Sequence, residues 1–274
     1  MLNNATIKSV KDWIVYQEAV GSSTFAVSDL CQQFPEKSKK VLAVDLCRLT
    51  RRGLIQPVHK GFYVTIPARY RLIDKTPVRF YINDLCRYLG RPYYLGLLSA
   101  AEMYGAAHQK PQLEQVVTAV PRMTTSKRKN VDLQWVYREK LPTEFLVERK
   151  GENGPIMISS AELTALDLVQ YSQWCGGMSN VATVLAELSE AMKPQCIRPE
   201  LLSTAKGTSV QRLGYILESV LDCRELADAL YAAWTSAFVN SFPVVLNPHS
   251  RSKCGIHENR WKIIANEELE VDEL

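Results

Sequence analysis

The stretch from Ser38 to Pro67, "SKKVLAVDLCRLTRRGLIQPVHKGFYVTIP", decides how the first half of this chain is read. Ser38 is a good helix cap, and at about 100° per residue Leu42, Leu46 and Leu49 fall in one narrow apolar stripe. Gly53 stands where a helix end commonly takes a left-handed residue, so a helix is predicted from Lys39 to Thr50 or Arg52. Its opposite face carries Lys40, Ala43, Val44, Cys47, Arg48 and Arg51, with Lys39 at the flank. Cations beside small apolar side chains suit a major groove: Lys and Arg reach phosphates or guanine edges, Ala and Val meet thymine methyls. A solvated basic face has the same composition, and the next residues weigh against that plainer reading. Leu54 to Val58 and Phe62 to Ile66 are β-prone runs joined by a tight turn at His59, Lys60 and Gly61.

Upstream, Ile7, Val10 and Ile14 recur at helical spacing and predict a first helix ending near Gly21. Thr24 to Ala26 reads as extended, Ser28 as the cap of a short helix, and Pro35 as its stop. Helix, break, helix and hairpin is the order of a winged helix-turn-helix, which assigns residues 1–77 to a DNA-binding domain. The predicted contact set is Ser38, Lys39, Lys40, Ala43, Val44, Arg48 and Arg51 on the helix, Lys60 on the wing, and Arg69 and Arg71 beyond it. His59, at a hairpin tip, reads as a solvent or phosphate contact rather than a catalytic base. Charge agrees with this reading: residues 1–130 hold 20 Lys and Arg against 9 Asp and Glu, residues 131–274 hold 13 against 20. A basic half joined to an acidic half is a footprint of polyanion binding, although compact winged folds also serve as protein-docking modules.

Residues 78–274 read as a second domain of mixed α/β character that ends mainly helical, making the chain α+β overall. Val78 to Leu89 forms an apolar helical face with Gly90 as its stop, and a further helix is predicted from Pro92 to Gly105. That helix and the loop after it carry Ser99, Glu102, Tyr104, His108 and Gln109, a crowding that resembles a catalytic cluster. A serine nucleophile needs a base within hydrogen-bond reach and an oxyanion donor opposite, and no GxSxG elbow is present, so structural roles are expected. Strands are predicted at 112–120, 131–137, 143–150 and 154–159, then a capping box at "SSAE" opening a helix from Glu162. Further helices are predicted at 178–192, 199–206, 210–221 and 225–238.

Two constellations could carry other chemistry. Asp132 followed by Glu148 and Lys150 imitates the D…ExK arrangement of Mg²⁺-dependent nucleases, an alternative function resting on a very short motif. His249, Cys254 and His257 offer three ligands where a closed zinc site takes four, so no metal and no cofactor is expected. Seven cysteines without a CxxC pair suit a reducing compartment. The absence of a long apolar run or signal peptide leads to the expectation of a cytoplasmic protein with no membrane partner.

Taken together, "YYLGLLSAAEMYGAAHQKPQ" (93–112), "ISSAELTALDLVQY" (158–171), "GGMSNVATVLAEL" (176–188) and "VQRLGYILE" (210–218), preceded by "RRGLIQPVHKGFYV" (51–64), resemble the AbiEi family of antitoxins from bacterial type IV toxin-antitoxin systems. The similarity spans roughly residues 7–221. It implies a phage-defence protein with two activities. Its winged domain would bind inverted repeats in double-stranded DNA of its own promoter and repress the operon. Its C-terminal antitoxin domain would counteract a nucleotidyltransferase-like toxin, AbiEii, without a stable complex and without being an enzyme. Within the family segments stand Ser99, Glu102, Tyr104, His108, Gln109, Gln211, Arg212 and Tyr215, with no chemical role attached. A plain winged-helix transcription factor with a ligand-sensing C-terminal domain is the other reading.

Overall fold

The computed structural model describes residues 7–73, 75–106, 111–123, 131–238, 241–250, 252, 255 and 258–271. His108, Gln109, Cys254 and His257 lie outside these residues, as does most of the basic loop at 122–130. The chain mixes helix and strand in two compact units: Met1–Tyr93, Pro121–Gln134 and Arg149–Ile156 form the first, Tyr94–Val120, Trp135–Glu148 and Met157–Leu274 the second.

The first unit strings together α1 (Val10–Ala19), β1 (Thr24–Ala26), α2 (Val27–Gln33), α3 (Lys39–Arg51), β2 (Ile55–His59), β3 (Phe62–Thr65) and α4 (Val78–Leu89). Its three strands pair antiparallel in the order β1-β3-β2. Ser38 caps α3 by accepting from the Val41 N–H at 3.4 Å, and Gly53 adopts φ +64° just past its end. The cap of α2 differs from the Ser28 expectation. The strand runs directly into the helix, and the Asp29 carboxylate accepts from the Ala26 N–H at 2.8 Å, so a serine at 28 has no cap left to fill. Leu42, Leu46 and Leu49 are buried against Val10, Trp13, Ile14, Phe25 and Leu30, each leucine contributing roughly 1.5–3 kcal/mol of burial. Helix α4 belongs with this unit rather than opening the next at residue 78. The Thr24 hydroxyl donates to Asp84 at 3.0 Å and the Tyr88 ring lies 4.9 Å from Phe62, so α4 is held to β1 and β3.

A five-stranded sheet in the order β6-β5-β4-β8-β7 is built from β4 (Tyr93–Leu95), β5 (Glu114–Ala119), β6 (Leu133–Arg138), β7 (Leu146–Gly151) and β8 (Gly154–Ser159). Residues 93–95, predicted as the start of a helix, instead form the central strand, parallel to β8. The reason is burial: Tyr93, Tyr94 and Leu95 are all inside, and an apolar run buried on both faces favours a central strand. Gly96 then breaks the strand where a Cβ would stand 2.8 Å from Val117 and 2.9 Å from Tyr94, and α5 (Leu97–Met103) follows. The remaining helices are α6 (Ala161–Gln170), α7 (Met178–Leu188), α8 (Pro199–Leu202), α9 (Gly207–Tyr215) and α10 (Arg224–Ala237). Helix α9 passes into a π turn at Ile216–Val220, and two short parallel strands, β9 (Val244–Val245) and β10 (Ile263–Ile264), complete the chain. The cap of α6 is Ser160, whose hydroxyl accepts from the Leu163 N–H at 3.2 Å. Glu162, assigned to a capping box from sequence, accepts from the Lys193 N–H at 2.9 Å instead.

Candidate functional site

In the first unit the candidate site is the outer face of α3. Three buried leucines fix the rotation of the helix, so Lys39, Lys40, Val41, Ala43, Val44, Cys47, Arg48 and Arg51 are all exposed. Among the described residues, the side chains of Lys39, Lys40 and Arg51 form no hydrogen bond or ion pair, and Arg48 only approaches Asp45 at 3.9 Å. Asp45 also meets Lys37 at 3.6 Å, and Lys37 lies over the Phe34 ring, which ties α3 to the end of α2. Cations left unpaired on a rigid element are available to an external anion without first breaking a bond.

The hairpin tip is held from α4. The Tyr88 hydroxyl donates to the Lys60 carbonyl at 3.2 Å, while the Lys60 ammonium is exposed and free of partners among the described residues. Gly61, at φ +75°, leaves space for that tyrosine, because a Cβ there would sit 3.0 Å from its hydroxyl. Tyr88 was invisible to sequence reasoning: nothing local in α4 announces a contact with a turn 28 residues upstream.

The two arginines beyond the wing are placed differently from the helix face. Arg69 is engaged, with Nη2 on Glu152 at 2.6 Å and its guanidinium over the Tyr70 and Phe80 rings. Arg71 lines a groove with Lys11, Ile14, Leu49 and Arg52. Of the nuclease constellation, Asp132 pairs with Lys75 at 2.5 Å, and Glu148 and Lys150 are exposed on β7. Among the described residues no group of three or more His, Cys, Asp or Glu is arranged to hold a metal. His249 donates its backbone N–H to the Asn247 side chain at 2.9 Å.

Several of the described family-motif residues of the second unit make internal contacts. Ser99 is buried, and its hydroxyl accepts from the Gln115 N–H at 2.9 Å; the Gln115 side chain in turn accepts from the Leu98 N–H at 3.0 Å and donates to the Trp174 carbonyl. Tyr104 donates to the Ser159 carbonyl at 2.9 Å. Glu102 is half-buried on α5. Gln211 donates its amide to the carbonyls of Phe242 and Trp261, and Arg212 donates to Val245 at 3.0 Å. Motif residues on α9 thus seat the C-terminal segment. Gly214 completes that seat, since a Cβ there would lie 2.3 Å from the Trp261 ring. Trp261 is fully buried beside Trp234 and Tyr231 and donates to Glu218 at 2.5 Å, and Arg260 bridges Glu218 and Asp228. Tyr215 packs at the edge of the same core.

A buried network that the sequence reading missed links β4, β6 and α6. Arg138 Nη1 donates to Asp167 at 2.6 Å and to the Tyr94 hydroxyl at 2.9 Å; Tyr94 donates to the other Asp167 oxygen at 2.7 Å. Arg138 Nη2 reaches the Thr204 carbonyl. Burial pushes the Asp167 carboxyl above the ordinary carboxylate range against the pull of Arg138 and Tyr94, and pushes the Tyr94 phenol well up. Burial opposes the Arg138 charge too, yet Asp167 and Tyr94 outweigh it and keep the guanidinium protonated. The available signal was Asp167 itself, a carboxylate among apolar residues in a helix buried from Ala161 to Val169.

The second unit joins strands and helices around one apolar core, and several of its polar motif residues are spent on internal contacts. Residues 94–219 match the family model described as the AbiEi antitoxin C-terminal domain, so this part of the chain is similar to the antitoxin domain of that family. No curated protein matches the chain. Among solved structures it is similar to the RV2827C protein from Mycobacterium tuberculosis, at TM-score 0.63 and 17% identity, over 91% of this chain and 88% of that one. At that identity the likeness is one of fold. No helix among the described residues is long and apolar enough to cross a membrane.

Proposed function

We propose that this chain is an AbiEi-type antitoxin and also an autorepressor. On this reading residues 1–77 are a winged helix-turn-helix that binds inverted repeats in the promoter of its own operon. The second unit carries the antitoxin activity against a nucleotidyltransferase-like toxin. The observation that supports it is the outer face of α3: Lys39, Lys40, Arg48 and Arg51 exposed around Ala43 and Val44, on a helix anchored by three leucines, with Lys60 presented by the hairpin. The cations would neutralise phosphates or reach guanine edges, and the small apolar side chains would meet thymine methyls. Ser38 would set the helix start from which Lys39 and Lys40 project.

The test is a gel shift on DNA upstream of the gene, at two salt concentrations, with EDTA and with Mg²⁺. A discrete shift on uncut DNA is expected, weakening steeply with salt. Replacing Lys40, Arg48 and Arg51 by Ala should lower the salt slope by roughly 0.9 for each phosphate that is no longer neutralised, with the melting temperature unchanged. An unaltered shift from the triple variant would refute the DNA assignment, and Mg²⁺-dependent cleavage would revive the nuclease reading of Asp132, Glu148 and Lys150.

A further inference from the structure

Two clefts stand out. The larger, about 800 Å³ in the second unit, mixes Glu139, Glu144 and Glu200 with Arg138, Lys140 and Lys206, so its charge favours no ligand class. The smaller, about 430 Å³, lies between α1 and the C-terminal end of α3 in the first unit, and its composition is one-sided. Its floor is apolar: Ile14, Val15, Leu49 and Leu54. Around it stand Lys11, Arg52 and Arg71 against a single acid, Glu18. Among the described residues none of the three cations has a hydrogen bond or ion pair from its side chain, whereas other cations of this unit, Lys37, Arg69, Lys75 and Arg87, are paired.

Apolar surface is exposed at the groove and in the residues after Arg71. Val15 is 47% exposed, and Leu72 and Ile73, which directly follow Arg71, are 98% and 56% exposed. An apolar groove floor together with exposed Val15, Leu72 and Ile73 is the kind of apolar surface that interaction sites present. DNA is a poor fit to it, because phosphates satisfy cations but gain nothing from Ile14, Leu49 or Leu72. The placement agrees: Leu49 belongs to the buried stripe of α3, and Arg52 is turned about 100° from Arg51, away from the face that carries Lys40 and Val44.

We infer that this groove docks an acidic, amphipathic peptide segment of a partner protein, aliphatic side chains on the floor and carboxylates on Lys11, Arg52 and Arg71. Charge complementarity selects that occupant over a second copy of this surface, which would set three cations against three. The inference does not depend on the DNA reading, and the experiment reads it separately.

The probe is the labelled peptide NEELEVDEL, the composition of residues 266–274, which combines five carboxylates with three aliphatic side chains. Fluorescence anisotropy with the full chain should show saturable binding, and hexaglutamate, lacking the apolar part, should bind about tenfold more weakly. Lys11→Glu and Val15→Glu, both at exposed positions, should each weaken the peptide by about tenfold with unchanged melting and an unchanged promoter gel shift. Lys40→Ala should leave peptide binding as it is. Absence of saturable binding overturns the proposal, and so does an equal loss in Lys40→Ala, which would mean unspecific attraction to basic protein. A Lys11→Glu variant that lowers the salt slope of DNA binding would assign the groove to the phosphate backbone instead.

Discussion

On α3, Lys39, Lys40 and Arg51 stand in solvent with no partner among the described residues. In the second unit Ser99, Tyr104, Gln211 and Arg212 each commit a polar group to backbone. Both regions hold polar side chains on helices flanking apolar cores, so composition alone does not separate them. What separates them is whether the hydrogen-bonding capacity is already used. A buried donor or acceptor left unpaired costs about 1–3 kcal/mol, so inside a domain polar residues are recruited to the fold. On a rigid exposed helix an unpaired cation costs almost nothing and stays available. On the proposed reading the DNA-binding chemistry sits where polar groups are idle, whereas the described motif residues Ser99, Tyr104, Gln211 and Arg212 sit where they are employed.

The sharpest way to break that contrast is to remove one member of the buried network. Asp167→Asn leaves the Arg138 guanidinium inside the domain without its counter-charge, and breaking a buried pair from one side costs about 3–5 kcal/mol. Thermal melting should show a drop of that order. Exchanging Asp167 and Arg138 together for apolar residues of similar volume should recover much of it, since no uncompensated charge then remains. A single variant as stable as the parent would show that the network is not employed by the fold.

Gly214 sharpens the comparison from the other side. In most helices Gly→Ala stabilises, because glycine costs roughly 0.5–1 kcal/mol relative to alanine. Here the sign reverses: the added methyl meets the Trp261 ring, and overpacking of this kind costs about 1–3 kcal/mol. Gly214→Ala should therefore lower the melting temperature and change the fluorescence of Trp261 as the C-terminal segment shifts. Stabilisation would mean that the segment yields and that the motif on α9 does not depend on it.

How far the sequence could be read follows from the same distinction. The α3 stripe, its Ser38 cap, Gly53, the hairpin and α4 were legible because each is written in local spacing or in a residue type with a local backbone preference. The strand at 93–95 was not, because its signal is burial on both sides by segments far along the chain, and a short apolar run reads equally as helix. The Tyr94, Arg138 and Asp167 network and the Tyr88 contact join residues 28 to 73 positions apart, and pairings at such range leave no periodic trace. For the interface the rotation of α3 was legible, and the engagement of Arg69 by Glu152 was not.

Cysteine chemistry gives the finest probe, because it acts on both regions of one molecule without a mutation. Cys47 is exposed on the outer face of α3 between Val44 and Arg51, and Cys196 is exposed in the second unit. Cys86 and Cys175 are buried, and burial pushes both thiols far up, so at neutral pH neither supplies a thiolate to an alkylating reagent. A bulky maleimide at neutral pH should therefore label Cys47 and Cys196 and spare Cys86 and Cys175, read by mass spectrometry of peptides. Because Cys47 contributes little to the core, the labelled protein should melt where the unlabelled protein does. On the proposed reading the added group would stand in the path of a DNA groove, so the promoter gel shift should be lost, while a Cys47→Ser protein treated in the same way keeps it. If labelled Cys47 still permits full DNA binding, the helix face is not the reading surface, and the idle cations on α3 would have to be explained as solvated charge.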